Sequence, residues 1–282
     1  MGLIYLVLFI ILVVMVYPLI VTLSCSLSNP MYVMQGKVVF LPIQFTLKSY
    51  KKVLEYKDLW MGFGNSVYYT VLGTFINIVL TVCAAYPLSR KDMEGRKFFM
   101  GILLVTMFFG GGMIPVYLLV KQLNLLNTVW SLVLPGAIST YNVIIMRTFF
   151  ENTIPDGLLE AAEIDGCGNT RFLVQIVMPL SRPILTIIGL FYAVVHWNSF
   201  QDSLLYISSR AKFPLQLILR EILLTSQTGE MTADVSGLMD QLFEAEGIKY
   251  AMIVVSSMPF IIAYPFVQKF FQKGVMLGAI KG

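Results

Sequence analysis

The chain has 282 residues, 57% hydrophobic and only 13% charged, where an ordinary soluble domain carries about a quarter charged residues. So much apolar content excludes a disordered chain and points to a membrane protein. Lys and Arg number 20 against 16 Asp and Glu, for a net charge of +4, a mild and scattered excess unlike the basic stripe of a nucleic-acid binder.

Charges fall in clumps, and the runs between them predict the elements. Charge-free runs cover 1–36, 59–89, 98–120, 122–146, 183–201 and 250–268. A hydrocarbon core of about 30 Å takes roughly 20 apolar residues as a helix. A charge at a helix centre costs about 2.5–3.5 kcal/mol on insertion, so clean runs of this length mark spans. In chain order the expected spans are 3–27, 62–89, 98–120, 126–147, 183–206 and 250–270, forming one all-α transmembrane domain over 1–282. The first reads as a span and not a secretory leader, because no basic residue precedes it and its apolar run is long for a leader. Lys121–Gln122–Leu123–Asn124 with Asn127–Thr128 predicts a tight turn between the third and fourth spans. Gly110, Gly111 and Gly112 each weaken a helix by about 1 kcal/mol relative to alanine, and mark either a hinge or a close helix crossing.

The basic residues divide evenly between the two sides, but short loops carry the orientation signal. The 90–97 loop holds Arg90, Lys91, Arg96 and Lys97, which favours both termini on the cytoplasmic side. Segments 28–58 and 202–249 then lie outside, and 147–182 inside. Within 202–249, the amphipathic run Phe213–Leu224 reads as an interfacial or surface helix.

The inner segment 151–182 reads as two short helices joined by a bend. Pro155 suits a first helical turn, and Leu158, Leu159, Ala161, Ala162 and Ile164 supply its apolar positions. Gly166 and Gly168 can end that helix in a left-handed cap, after which Asn169 or Thr170 can cap a second one. Phe172 and Ile176 share a face of the second helix until Pro179 and Pro183 stop it.

Cys25, Cys83 and Cys167 are far apart with no CxxC pair, and His196 is the one histidine. That excludes a disulfide framework and weakens any zinc site or catalytic triad. No GxxxxGK[ST] phosphate loop is present, so the chain is expected to hold no nucleotide, cofactor or metal and to catalyse nothing itself. The charge-free runs contain no carboxylate of the kind a proton-coupled secondary transporter carries at mid-membrane.

Glu160–Ala161–Ala162, then Asp165–Gly166, then Ile176 and Met178–Pro179 resembles the EAA loop of binding-protein-dependent ABC-transporter permeases. One position departs, Met178 standing where leucine is usual, a volume-conserving change. Trp197–Asn198–Ser199–Phe200 is similar to an element in the fifth span of sugar permeases of this family, and Gly274–Gly282 to their C-terminal tail. Phe109–Tyr117 and Ile145–Phe150 look like one subgroup, the second, smaller permease subunit of maltose-type importers of oligosaccharides, including fragments of complex plant or acidic polysaccharides.

The resemblance implies a multi-pass protein of the bacterial cytoplasmic membrane, in contact with lipid. Its partners would be a second related permease, two cytoplasmic ATPase subunits that bind ATP and Mg, and an external sugar-binding protein. Residues 151–182 would dock in a cleft of an ATPase. Glu160 and Asp165 would make polar contacts there, Ala161 and Ala162 permit close approach, and Gly166 permits the bend. Phe172, Ile176 and Pro179 would seat the second helix, and Lys281 and Gly282 would also reach the ATPase.

A sugar path needs hydroxyl-bonding side chains and aromatic faces between spans, and polar residues inside spans are candidates for it. Here these are Tyr141 and Asn142 in span four, and Tyr192, His196, Trp197, Asn198 and Asp202 in span five, with Asn198 foremost. The alternative for each is a packing role, in which a buried polar group makes one interhelical bond worth about 0.6 kcal/mol.

Overall fold

The computed structural model describes residues 2–229 and 238–279, and every regular element among them is a helix. In order these are α1 (Gly2–Ser26), α2 (Pro30–Met34), α3 (Lys48–Glu55), α4 (Lys57–Ser89), α5 (Arg96–Phe108), α6 (Met113–Gln122), α7 (Trp130–Val133) and α8 (Thr140–Thr153). After them come α9 (Asp156–Ile164), α10 (Asn169–Phe172), a π-helical turn at Leu173–Val177, α11 (Met178–Leu180), α12 (Arg182–Trp197), α13 (Phe200–Tyr206), α14 (Leu215–Gly229) and α15 (Leu238–Ala279). Among the described residues, α1, α4 and the Ala245–Pro265 part of α15 are each long and apolar enough to cross a membrane. The bent pairs α5 with α6, and Asn169–Leu180 with α12, raise the number to 5 if each is one span.

Three of the expected continuous spans are interrupted. Residues 98–120 are α5 and α6, which meet at 111°. Gly112 at the break has φ +81°, and a Cβ on Gly110, Gly111 or Gly112 would meet nothing within 4 Å. The helix breaks at these glycines, and among the described residues of this chain none of them supports a close crossing. Residues 126–147 form α7 and the start of α8, separated by a segment containing Pro135 and Gly136, since proline removes a donor and clashes with the preceding turn. Residues 183–206 form α12 and α13, parted at Asn198 and Ser199. The turn expected after α6 is present: Asn124 and Asn127 adopt φ +56° and +57°, which asparagine tolerates better than most residues.

Contacts group the chain into two compact units, Met1–Asn65 with Arg210–Ile262, and Ser66–Ser209 with Ala263–Gly282. In the first unit the start of α14 packs inward, while Leu224 further along is exposed. Leu215 and Ile218 are wholly buried and Leu217 nearly so, and Asn65 Nδ2 donates to the carbonyls of Ala211 (2.9 Å) and Phe213 (3.0 Å) just before the helix. Arg210 ties the same region together through Asp58 (2.8 Å) and Glu221 (3.1 Å).

The second unit carries the residues singled out above. Its core joins Ala85 and Leu88 of α4, Met146 and Phe150 of α8 and Ile188 of α12 to Ala162 of α9 and Phe172 of α10. The two short helices of segment 151–182 are thus rooted in the same apolar cluster as the long ones.

Candidate functional site

The bent element is built by its own sequence. Pro155 is the N-cap of α9, with Asp156 in the first turn, where a carboxylate favours the positive end of the helix dipole. At the other end Gly166 has φ +69°. Its N–H donates to Glu163 O (3.0 Å), and that of Cys167 to Ala162 O (2.8 Å). This pair of bonds is a Schellman cap, and it needs a left-handed residue where glycine costs least. Gly168, in extended conformation, is the N-cap of α10, so neither Asn169 nor Thr170 caps it as expected. The π turn that follows runs to Val177, two residues before Pro179, which has no N–H to offer.

Seating and exposure divide the expected coupling residues. Ala162 and Phe172 are buried and Ile176 is half-buried, whereas Glu160, Ala161, Asp165, Gly166 and Pro179 are exposed. The alanine pair therefore splits, Ala162 fixing α9 to the core and Ala161 facing out. Ile164, counted among the apolar positions of the first short helix, is 87% exposed at the tip of α9. Lys281 and Gly282 lie outside the described residues.

Beside this knuckle lies a cavity of about 450 Å³ lined by Arg90, Arg96, Glu151, Asp156, Glu160 and Phe172, among others. Its walls are stitched by ion pairs. Arg147 donates from Nε to the carbonyl of Leu88 (2.9 Å) and from Nη2 to Glu151 (2.6 Å), and Glu151 also accepts from Arg96. Arg90 reaches Asp92, Glu163, Asn169 and the Tyr86 hydroxyl. Hydrogen bonding to Asp92 raises the Arg90 guanidinium further above its ordinary value, and the same contact holds the Asp92 carboxyl below the usual carboxylate range. In the sequence these arginines were legible only as a topology signal.

The expected path residues do not form one lining. Tyr192 is buried, its hydroxyl 2.7 Å from Thr81 Oγ1 and accepting from the Ser139 N–H at 3.0 Å. His196 is buried with Nε2 3.1 Å from Asn77 Nδ2. Asn142 and Trp197 are also buried. By contrast Tyr141, Asn198 and Asp202 are exposed. Asn198 is the C-cap of α12, and its Nδ2 donates back to Val194 O at 2.9 Å.

What joins Tyr192 and His196 is α4, which was not singled out in the sequence. Thr70, Thr74, Asn77 and Thr81 recur at helical spacing on one face of it, and Gly73 lies against the His196 ring. Among the described residues, Thr70 Oγ1, Thr74 Oγ1 and Asn77 Oδ1 are buried without a hydrogen-bond partner. Four polar residues recurring at helical spacing between 70 and 81 of α4 were the available signal.

No protein-family profile matches the sequence. The chain is 40% identical over 269 residues, 95% of its length and 93% of the relative's, to the polygalacturonan/rhamnogalacturonan transport system permease protein YtcP of Bacillus subtilis strain 168. It is 26% identical over 272 residues, 95% of this chain and 91% of the relative, to the arabinooligosaccharides transport system permease protein AraQ of Halalkalibacterium halodurans. A crystal structure of a bacterial ABC transporter involved in the import of the acidic polysaccharide alginate contains a chain that superimposes with a TM-score of 0.85 at 32% identity, covering 96% of each chain. On this similarity over 95% of its length, the chain belongs to the family of sugar and polysaccharide ABC-transporter permeases, membrane components of transport systems.

Proposed function

We propose that this chain is a transmembrane permease subunit of an ATP-driven importer of oligosaccharides and forms half of the translocation pathway. It crosses the bacterial cytoplasmic membrane six times with both termini inside, the broken segments 98–120, 126–147 and 183–206 each counting as one crossing. A second related permease supplies the other half, an external sugar-binding protein delivers substrate, and two cytoplasmic ATPase subunits bind ATP and Mg. The knuckle formed by α9 and α10 docks on one ATPase.

The observation that carries this reading is the division of labour within the knuckle. Ala162 and Phe172 are sunk in the bundle core, while Glu160, Ala161, Ile164 and Asp165 are turned outward around a glycine bend. An element rooted so firmly and presenting small, acidic and apolar groups at its tip can be pushed as a unit. The names of YtcP and of the alginate transporter favour acidic oligosaccharides as cargo, and that of AraQ supports neutral ones.

Gly166→Arg tests the docking. The variant is expected to accumulate in the membrane yet lose uptake and fail to retain the ATPase on purification. Full substrate-stimulated ATP hydrolysis by a Gly166→Arg complex would remove the coupling role. Uptake of labelled oligogalacturonides, challenged with an excess of arabino-oligosaccharides, assigns the cargo class.

A further inference from the structure

Arg90 stands immediately after α4, and all of its donors are engaged. Nε and Nη2 donate to the two Asp92 carboxylate oxygens at 2.7 and 2.6 Å. Nη1 donates to Tyr86 Oη at 3.3 Å and to Asn169 Oδ1 at 3.0 Å, and Nη2 also reaches Glu163 Oε1 at 3.5 Å. Tyr86 belongs to α4, Glu163 to α9 and Asn169 to α10, so one planar group touches the end of the long helix and both arms of the knuckle. Its side chain is only 12% exposed, while those of Asp92 and Glu163 are 65% and 57% exposed.

We propose that Arg90 is a positioning residue that fixes the register between the knuckle and α4, so that displacement of the knuckle is passed to α4 as a rigid movement. The inference rests on the reading that the knuckle docks an ATPase. The apolar contacts of Ala162 and Phe172 hold the knuckle to the core but are non-directional and tolerate sliding. Hydrogen bonds from a rigid five-donor fork do not, and lysine cannot reproduce them from a single point charge. The other ionic contact from this loop to α9, Lys91 to Asp156, has side chains 76% and 64% exposed and fixes little. Asn169, which could have capped its own helix, gives its side-chain oxygen to Arg90 instead. Further along, α4 carries Asn77 and Thr81 against His196 and Tyr192. A movement received at Arg90 therefore arrives at the buried polar seam.

The test uses the whole transporter in nanodiscs, with Cys25 and Cys167 replaced by serine and a nitroxide on Cys83, an exposed position of α4. Two readouts are taken together: ATPase retained on purification, and the change in the nitroxide spectrum on trapping with ATP, Mg and vanadate. The parent complex is expected to retain the ATPase and to show the change. Arg90→Lys is expected to retain the ATPase with the change more than halved. Glu163→Ala with Asn169→Ala, two exposed positions that remove both knuckle acceptors of Arg90, should give the same loss. A spectral change of parental size in either variant overturns the role of Arg90, as does its absence in the parent, or loss of ATPase from the Arg90→Lys complex. A parent chain that never captures an ATPase instead overturns the docking reading itself.

Discussion

Alanine at Gly73 is the sharpest perturbation of the buried seam. By propensity it should help, since glycine in a helix interior costs about 1 kcal/mol relative to alanine. The structure opposes it: the added Cβ would lie 2.4, 2.6 and 2.7 Å from Nε2, Cε1 and Cδ2 of His196, where ordinary contact begins at 3.4 Å. The ring must retreat by 3.4 − 2.4, about 1 Å, which carries Nε2 out of its 3.1 Å contact with Asn77. Leaving a buried polar group unsatisfied costs about 1–3 kcal/mol, and overpacking adds about 1–3 kcal/mol. Set against the propensity gain, Gly73→Ala is expected to destabilise by about 1–5 kcal/mol. The assay is a double-mutant cycle on thermal unfolding of the detergent-solubilised chain, with His196→Ala as the second site. In that background Gly73→Ala should be neutral or stabilising, a coupling that distant, independent sites do not show. An equal effect in both backgrounds, or a stabilised single variant, would refute the reasoning.

Other perturbations follow from the same geometry. Tyr192→Phe removes the hydroxyl that serves both Thr81 and the Ser139 N–H, and should lower stability by about 1–3 kcal/mol for each buried group left unpaired, read as the thermal midpoint. Glu151→Gln leaves Arg96 and Arg147, 25% and 19% exposed, without their shared carboxylate; a loss of about 1–2 kcal/mol is expected in the same measurement, discounted for partial exposure. Within this chain the difficulty for a small side chain at Gly166 is the backbone, since φ is +69° and a Cβ would meet nothing within 4 Å. Gly166→Asn should therefore transport better than Gly166→Val, for which the left-handed cap costs about 1–2 kcal/mol.

Charge-free run length showed the sequence to be an all-helical membrane chain, and Gly166 showed where the knuckle bends, because each depends on local chemistry. Hydrophobic runs do not report where a helix breaks. Residues 98–120 satisfy a hydropathy count as one span, yet the triple glycine turns α5 from α6, and Pro135 with Gly136 does the same between α7 and α8. Within the knuckle, the sequence counted Ala161 with Ala162 and listed Ile164 among the apolar positions, without saying which of them face the core. A helix as short as α9 ends before its apolar stripe closes, so Ile164 projects past the core. Arg90 and Asn77 could not be read as they act. Their meaning lies in partners far along the chain, Asn169 and His196, which only the packing brings near.

The central claim is that the α9–α10 knuckle is gripped by a separate ATPase on the cytoplasmic side. Its most direct test is a photo-crosslinking amino acid at Ile164, the exposed tip of α9, in cells expressing the whole transporter. Illumination is expected to yield one adduct of the chain with the ATPase subunit, lost when Gly166→Arg is added. An adduct with an external protein, or none beyond lipid in cells that retain uptake, would contradict the account.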